Sequence, residues 1–364
     1  MHVPLNDLRR SGEPYAADLR IAFDRVIDAG SFILGRQVAA FEDEFASFCG
    51  VSNCVGLASG SDALELALRA VGVSADDDVI TAANAGMYAT VAIRAVGARP
   101  RYADVDDRTL TLAPAHLEQS FTDRTRAVIV THLYGRLAAM DKINRWARER
   151  VIAVIEDCAQ AHGARRGDVR AGGFGHIGCF SFYPTKNLGA LGDAGAITTN
   201  DAALAARVRA LRQYGWKEKY RVEMNGGRNS RLDELQAAML RVRLPHVERE
   251  NAARRNIVRA YAERIRNPLV RVSDPPANDS VAHLAVVRSS RRDSLRQHLR
   301  SRDIGTDIHY PIPDHRQPIA HDSADLSLPV TERACAEVLS LPCFPAMTSD
   351  EVDYVIEACN AWAR

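Results

Sequence analysis

Val38, Phe41, Phe45 and Phe48 recur at helical spacing through "VAAFEDEFASFCG", and Gly50 stands where such a helix would stop. This stretch is predicted to be an amphipathic helix. Beyond it, short apolar runs alternate with helical segments: "NCVGLA", "DALELALRAVG", "DVITA", "YATVAIRAVG", "RPRYADV". "RAVIVTHLYG" and "VIAVIED" follow, separated by the helical "MDKINRWARER", and then come "IGCFSF" and "AGAITTN". Near-continuous apolar strands spaced by helices predict a parallel or mostly parallel sheet with helices on both faces. Residues 1–245 are read as one large α/β domain. From "PHVERENAARRNIVRAYAERI" onward the pattern changes to a long charged helix, a proline-rich stretch around "SDPPAND", and a few strands and helices. Residues 246–364 are therefore read as a smaller α+β domain, and neither part contains an internal repeat or a low-complexity segment.

Composition narrows the partners. The 364 residues, 46% of them hydrophobic, suffice for one large core and a second smaller one. Forty-seven basic against forty-six acidic side chains leave a formal net charge of +1, so no overall field favours nucleic acid or an anionic membrane. The seven cysteines are odd in number and form no C-x-x-C pair, which points to a reduced, cytoplasmic and metal-free protein. The first residues lack the apolar core of a signal peptide, and no run approaches the roughly 18 apolar residues of a membrane helix.

Candidate chemistry gathers where strands give way to helices. In "SFYPTKNLGALGDAG", Lys186 is the only Lys or Arg between Arg170 and Arg207, and Gly189, Gly192 and Gly195 follow it. "GLASGSDALELAL" runs a strand through Ser59, Gly60 and Ser61 into a helix whose free N–H groups can hold an anion such as a phosphate. The plainer reading is a helix cap by Ser61 or Asp62. "VIAVIEDCAQAHGA" ends an apolar strand on Glu156 and Asp157, with Gln160 and His162 beyond; a carboxylate there needs a partner, and His162 is read as structural. A lysine amine, an acid and a phosphate cradle, in one α/β domain, are what pyridoxal phosphate requires: an imine link, a proton on the pyridine nitrogen, and an anion site.

The chain resembles the DegT/StrS nucleotide-sugar aminotransferases, of the aspartate-aminotransferase fold, nearly end to end. The matching stretches are "GSFILGRQVAAFEDEF", "LASGSDALELAL", "VTHLYG", "VIEDCAQAHGA", "GCFSFYPTKNLGALGDAGAITTND", "NSRLDELQAAMLRVRL" and "IHYPIPDH". The resemblance implies that Lys186 forms the imine link and acts as the base, that Asp157 pairs with the pyridine nitrogen, and that Gln160 lies near the ring's phenolic oxygen. It further implies that Gly60, Ser61 and Ser181 hold the phosphate. Asn229 would reach the cofactor phosphate of a neighbouring subunit, so a homodimer with shared sites is implied. His309, Tyr310 and His315 match a segment near the nucleotide-sugar; the alternative is a proline-bracketed loop of buried aromatics.

One segment departs from the family. Where relatives carry a proline and then an aromatic residue stacked on the cofactor ring, this chain reads "TAANAGMYAT", with Ala82 at the proline and Gly86 at the aromatic. Tyr88 is the candidate replacement; Met87, a bare glycine, or a Tyr88 that simply packs in the following helix are the alternatives. "GSFILG" and "IHYPIPDH" look like members acting on 3-keto-6-deoxyhexoses, so the implied reaction moves an amino group from an amino acid, glutamate by resemblance, to a thymidine-diphosphate keto-sugar. A 4-keto-sugar acceptor is the near alternative. A sugar dehydratase of the same fold would have histidine where Lys186 stands, and a non-catalytic regulator would usually append a DNA-binding domain for which the chain has no spare length.

Overall fold

The computed structural model describes residues 1–272, 276–323 and 325–363, so Ser273, Asp274 and Pro275 of the proline-rich stretch lie outside the described residues. Seven short apolar segments become strands: β1 (Asn53–Leu57), β2 (Asp78–Ala82), β3 (Arg99–Ala103), β4 (Thr125–Thr131), β5 (Ala153–Asp157), β6 (Ile177–Ser181) and β7 (Gly195–Thr199). They form one sheet in the order β1-β7-β6-β5-β4-β2-β3. Only β7 runs against its neighbours; the remaining pairings are parallel. The mostly parallel sheet that the alternation predicts is what forms.

Alternate side chains explain why both faces are covered. In β4, Ala127 and Ile129 enter a core with the helices Gly60–Ala70, Tyr88–Ala95 and Ala202–Leu211. Val128 and Val130 point the other way, into a core with Met140, Ile143 and Ala147 of the helix Met140–Glu149. The helix Arg36–Cys49 packs Val38, Phe41 and Phe45 beside Phe180 and Phe182 and stops at Gly50, whose φ of +72° is the left-handed conformation that glycine adopts without strain.

A second, three-stranded antiparallel sheet joins Arg271–Val272, Ala285–Arg288 and Val338–Leu341. The helices Val247–Arg264, Arg292–Ser301 and Ser349–Ala361 bury Ile257, Tyr261, Leu295, Leu299, Val355 and Ile356 in its core. Val3 belongs to that core as well: its N–H donates to the Asp303 carbonyl and its carbonyl accepts from Gly305. Residues from the start of the chain thus pack with residues near its end. Among the described residues no helix is long and apolar enough to cross a membrane.

The parallel register carries the functional consequence. Thr131 stands opposite Asp157 across β4 and β5, and Leu57 and Ser181 both stand opposite Gly195. The carboxyl ends of β1, β4, β5 and β6 therefore share one edge, where the loops after them converge.

Candidate active site

A cavity of about 790 Å³ opens at that edge. Gly60, Ser61, Asp157, Gln160, Ser181, Lys186, Tyr88, His309 and Tyr310 all line it, drawn from segments 250 residues apart in sequence (residues 60 to 310). Asn229 and His315 are not among its lining residues.

Asp157 ends β5 deep in the wall. Its carboxylate accepts from Thr131 Oγ1 at 3.2 Å and from the Ala159 N–H at 3.1 Å. No lysine or arginine forms an ion pair with it among the described residues. Burial pushes its carboxyl pKa up, opposed by the Ala159 hydrogen bond and the charge of Lys186. For Lys186 the same burial dominates and pulls the amine's pKa down, while Asp157 pulls it back up. An acid and an amine thus face one cavity without neutralising each other. A buried carboxylate with no cation of its own suits a ligand that brings a protonated ring nitrogen.

The glycines around Lys186 answer to close packing rather than to unusual backbone angles. A Cβ at Gly189 would stand 2.5 Å from the Pro184 carbonyl oxygen, and one at Gly195 would stand 2.3 Å from the Ser59 carbonyl group. A Cβ at Gly60 would meet Cβ of Ser181 at 2.6 Å. The lysine loop, the helix start and the end of β6 are pressed together without side chains between them. The helix cap is Ser59, whose Oγ accepts from the Asp62 N–H at 3.1 Å, and not Ser61 or Asp62. That leaves the first-turn N–H groups of Gly60 and Ser61 and the hydroxyls of Ser61 and Ser181 at the cavity, a set suited to a phosphate.

Gln160 Oε1 accepts from the Tyr134 N–H at 2.6 Å and Nε2 donates to the Tyr310 hydroxyl at 3.3 Å. The Tyr310 ring covers Gly86 (φ +76°), where an added Cβ would lie 2.8 Å from the ring carbons. Tyr88 is half exposed and meets Tyr310 edge-on, with centroids 6.1 Å apart. Tyr310, and not Tyr88 or Met87, therefore occupies the space over position 86. Asp314 ties the two segments together: it accepts from the Met87 N–H at 2.9 Å and from Thr90 Oγ1 at 2.7 Å.

His309 bonds through Nδ1 to Ser340 Oγ at 2.9 Å, and burial lowers its pKa. His315 is fully buried, bonded through Nε2 to Glu332 at 3.0 Å and facing the Tyr102 ring. Its expected place is beside the substrate, and the structure does not bring it to the cavity: the side chain that follows Asp314 enters the interior. Asn229 is exposed, next to Arg228, whose guanidinium pairs with Asp62 and Glu65 of the helix Gly60–Ala70. His162 is fully buried against Phe180 and Phe182, and desolvation lowers its pKa to about 3. Glu156, beside Asp157, accepts from His132 Nε2 and from the N–H groups of Gly172, Phe174 and Gly175, which makes it a clamp on two loops.

The cavity also holds Asn6, Tyr183, Asp193, Arg254, His283 and Asp307, none of which the sequence reading gave a role, although Tyr183 and Asp193 lie within "SFYPTKNLGALGDAG". One signal was present: Arg254 falls on the apolar stripe of its helix.

A model of the DegT/DnrJ/EryC1/StrS aminotransferase family matches residues 16–360. The chain is 44% identical over 363 residues to dTDP-3-amino-3,6-dideoxy-alpha-D-galactopyranose transaminase of Aneurinibacillus thermoaerophilus, covering 99% of each. It is 42% identical to dTDP-3-amino-3,4,6-trideoxy-alpha-D-glucose transaminase of Streptomyces venezuelae, covering 100% of this chain and 96% of that one. Among solved structures, S. venezuelae DesV in complex with a ketimine intermediate superposes with a TM-score of 0.96 at 41% identity, over 99% of this chain and 98% of that one. With the lysine, the acid and the glycine-lined cradle in one cavity and the match running almost end to end, this chain belongs to the DegT/DnrJ/EryC1/StrS aminotransferase family, sugar aminotransferases that depend on pyridoxal phosphate.

Proposed function

We propose that the chain moves an amino group from an amino acid, glutamate by preference, to a dTDP-3-keto-6-deoxyhexose, in the biosynthesis of an amino sugar. The observation that carries this reading is the full-length similarity, at 44% and 42% identity, to two transaminases named for dTDP-3-amino sugars. The cavity supports it by its size, about 790 Å³, and by its open rim of polar and aromatic side chains.

Bound pyridoxal phosphate supplies the electron sink. In this reading Asp157 holds a proton on the ring nitrogen, and Gly60, Ser61 and Ser181 hold the phosphate. Gln160 would serve the ring's phenolic oxygen, and Tyr310 and Tyr88, which line the same cavity, would help to hold the ring. Lys186 Nζ takes the proton from the donor's Cα and returns one to the sugar carbon in the second half of the cycle; its lowered pKa suits that work. His309 and Tyr310 face the sugar.

A second copy of the chain completes the site in the same reading. Asn229 is exposed and outside its own chain's cavity, as a residue serving a partner's phosphate would be. Ile21, Phe23 and Ile27 leave the helix Ala16–Ala29 about half exposed, and Phe32 and Ile33 continue the apolar surface, which suits a homodimer. We read residues 1–245 as the cofactor-binding unit and 246–364 as the smaller one, and the location as cytoplasmic, in keeping with seven unpaired, buried cysteines.

The test is to run the reaction backwards with 2-oxoglutarate, offering dTDP-3-amino and dTDP-4-amino 6-deoxyhexoses separately. Faster deamination of the 3-amino sugar is expected. Preference for the 4-amino sugar would move the reaction to C4, and inertness toward both would reject a dTDP-sugar substrate.

A further inference from the structure

The helix Val247–Arg264 buries Val247, Glu250, Asn251, Arg254, Ile257, Val258 and Tyr261 along one stripe. Arg254 is the one cation on that stripe, at a position where the spacing calls for an apolar side chain. It is 5% exposed, and burial draws its pKa down. A guanidinium in such a place is costly unless it is matched by charge and hydrogen bonds. The match is incomplete. Both of its hydrogen bonds leave from Nη1, to the carbonyls of Cys343 at 2.6 Å and His283 at 3.4 Å, and Nε is buried with no partner. No carboxylate forms an ion pair with it among the described residues. Glu250, one turn earlier, is engaged by the Tyr15 hydroxyl at 2.7 Å and faces Arg243 at 3.7 Å.

Arg254, His283 and Cys343 all line the cavity that contains Lys186. The lining includes two basic side chains, Lys186 and Arg254, and of these only the Arg254 guanidinium is not called on to give up its proton. The histidines cannot substitute as cations. Asn187 gives its amide N–H to Asn251 Oδ1 and the Val281 carbonyl, so its oxygen is left to accept from His283 Nδ1 at 2.8 Å. His283 thereby carries a proton on Nδ1, and burial lowers the pKa of both it and His309, which disfavours their charged forms.

An amino-acid donor differs from a sugar in carrying a carboxylate one bond from the carbon that reacts. Lys186 is committed to proton transfer, so one cation remains to receive that group. We propose that Arg254 is the binding residue for the carboxylate of the amino donor, and of the keto acid it becomes, through the half-used face of its guanidinium. This rests on the aminotransferase reading and adds the donor's binding site to it. Glu250 acts on Arg254 only without direct pairing, so an incoming carboxylate supplies the paired charge that the fold does not, which makes a carboxylate-bearing amine the favoured first substrate.

The experiment separates the two half-reactions of the cofactor-loaded enzyme by following loss of the visible cofactor band, near ~420 nm, in single turnovers. Arg254→Gln is expected to weaken the apparent Kd for L-glutamate about 100-fold, the order of a lost charge-assisted pair, and glutarate should protect the wild type but not the variant against glutamate. The Kd for the dTDP-3-amino sugar should change less than about threefold, because that substrate has no carboxylate. An unchanged glutamate Kd, or equal losses for both substrates, would overturn the proposal. Should Arg254→Gln fail to fold, Arg254→Lys keeps one donor and the charge; it must weaken glutamate at least about tenfold with the sugar Kd held, or the proposal falls. A wild type that bleaches with glutamate but ignores the amino sugar would instead reject the sugar assignment and leave this site standing.

Discussion

The ring of Tyr310 rests directly on Gly86, leaving no room for even a methyl group: a Cβ there would stand 2.8 Å from the ring. Two segments more than 220 residues apart (86 and 310) are thus fitted to each other at the cavity wall, and Asp314 fastens them by accepting from Met87 and Thr90.

Gly86→Ala should therefore both strain a backbone at φ +76° and displace the ring. The expected cost is about 1–3 kcal/mol of stability together with weaker cofactor retention. Thermal unfolding and the visible band of the loaded protein read the two effects. Tyr310→Phe, which keeps the ring but not the hydroxyl bond from Gln160, should spare cofactor retention largely; a loss equal to that of Tyr310→Ala would show that the hydroxyl and not the ring matters.

Asp157→Asn is expected to fold and to bind cofactor while turnover falls by about three orders of magnitude or more, since a neutral amide cannot keep the ring nitrogen protonated. Steady-state rates at saturating substrate measure it. Turnover near that of the wild type would remove Asp157 from the role.

Asp314 gives a pH signature. Burial raises its carboxyl pKa to about 6 from an ordinary 3.8, with the Thr90 and Met87 hydrogen bonds opposing. Between those values the folded protein holds a proton that the unfolded chain has released. Its contribution to stability is therefore present below about pH 4 and is lost as pH rises through 6, by up to about 3 kcal/mol. Denaturant titrations should show Asp314→Asn gaining on the wild type across that interval and running parallel to it above pH 7. A constant difference from pH 4 to pH 7 would mean that Asp314 titrates normally.

The shared site makes a mixing prediction. Asn229→Ala should hold cofactor more weakly, and Lys186→Ala should be inactive alone. Combined under conditions of subunit exchange, they should recover up to roughly a quarter of wild-type activity, because half of the dimers are hybrids with one intact site of two. Exchange confirmed by mass with no activity recovered would place each site within a single chain.

The sheet was legible from the sequence because its central strands are apolar on both faces and its helices keep their periodicity; β4 and β5 read plainly in "RAVIVTHLYG" and "VIAVIED". Lys186, Asp157 and Gln160 were legible because each stands at the carboxyl end of an apolar strand or within five residues of one. Position in the chain misled where the partner is distant. The first turn of the helix Arg36–Cys49 is capped by Glu234, which accepts from Gly35, Gln37 and Val38, and no local pattern announces a cap supplied from about 200 residues away. His315 shares a motif with His309 and Tyr310, yet one turn of chain sends it inward to Glu332. Tyr310 over Gly86 could not be read, since it depends on how two remote loops meet. Nor could Val3 in the second core, where the contact joins the two ends of the sequence.

Asp157 carries a cost that falls on the chain before it ever meets a substrate. Buried beside Thr131 without a cation of its own, it opposes folding whenever it is ionised, so its raised pKa makes the cofactor-free protein less stable as pH rises through that value. A ligand that brings a positive charge to Asp157 removes that cost, so the loaded protein is expected to unfold at a higher temperature than the cofactor-free one, by a margin that widens as pH rises. Chemistry and durability pull in opposite directions at one carboxylate, and the ligand reconciles them.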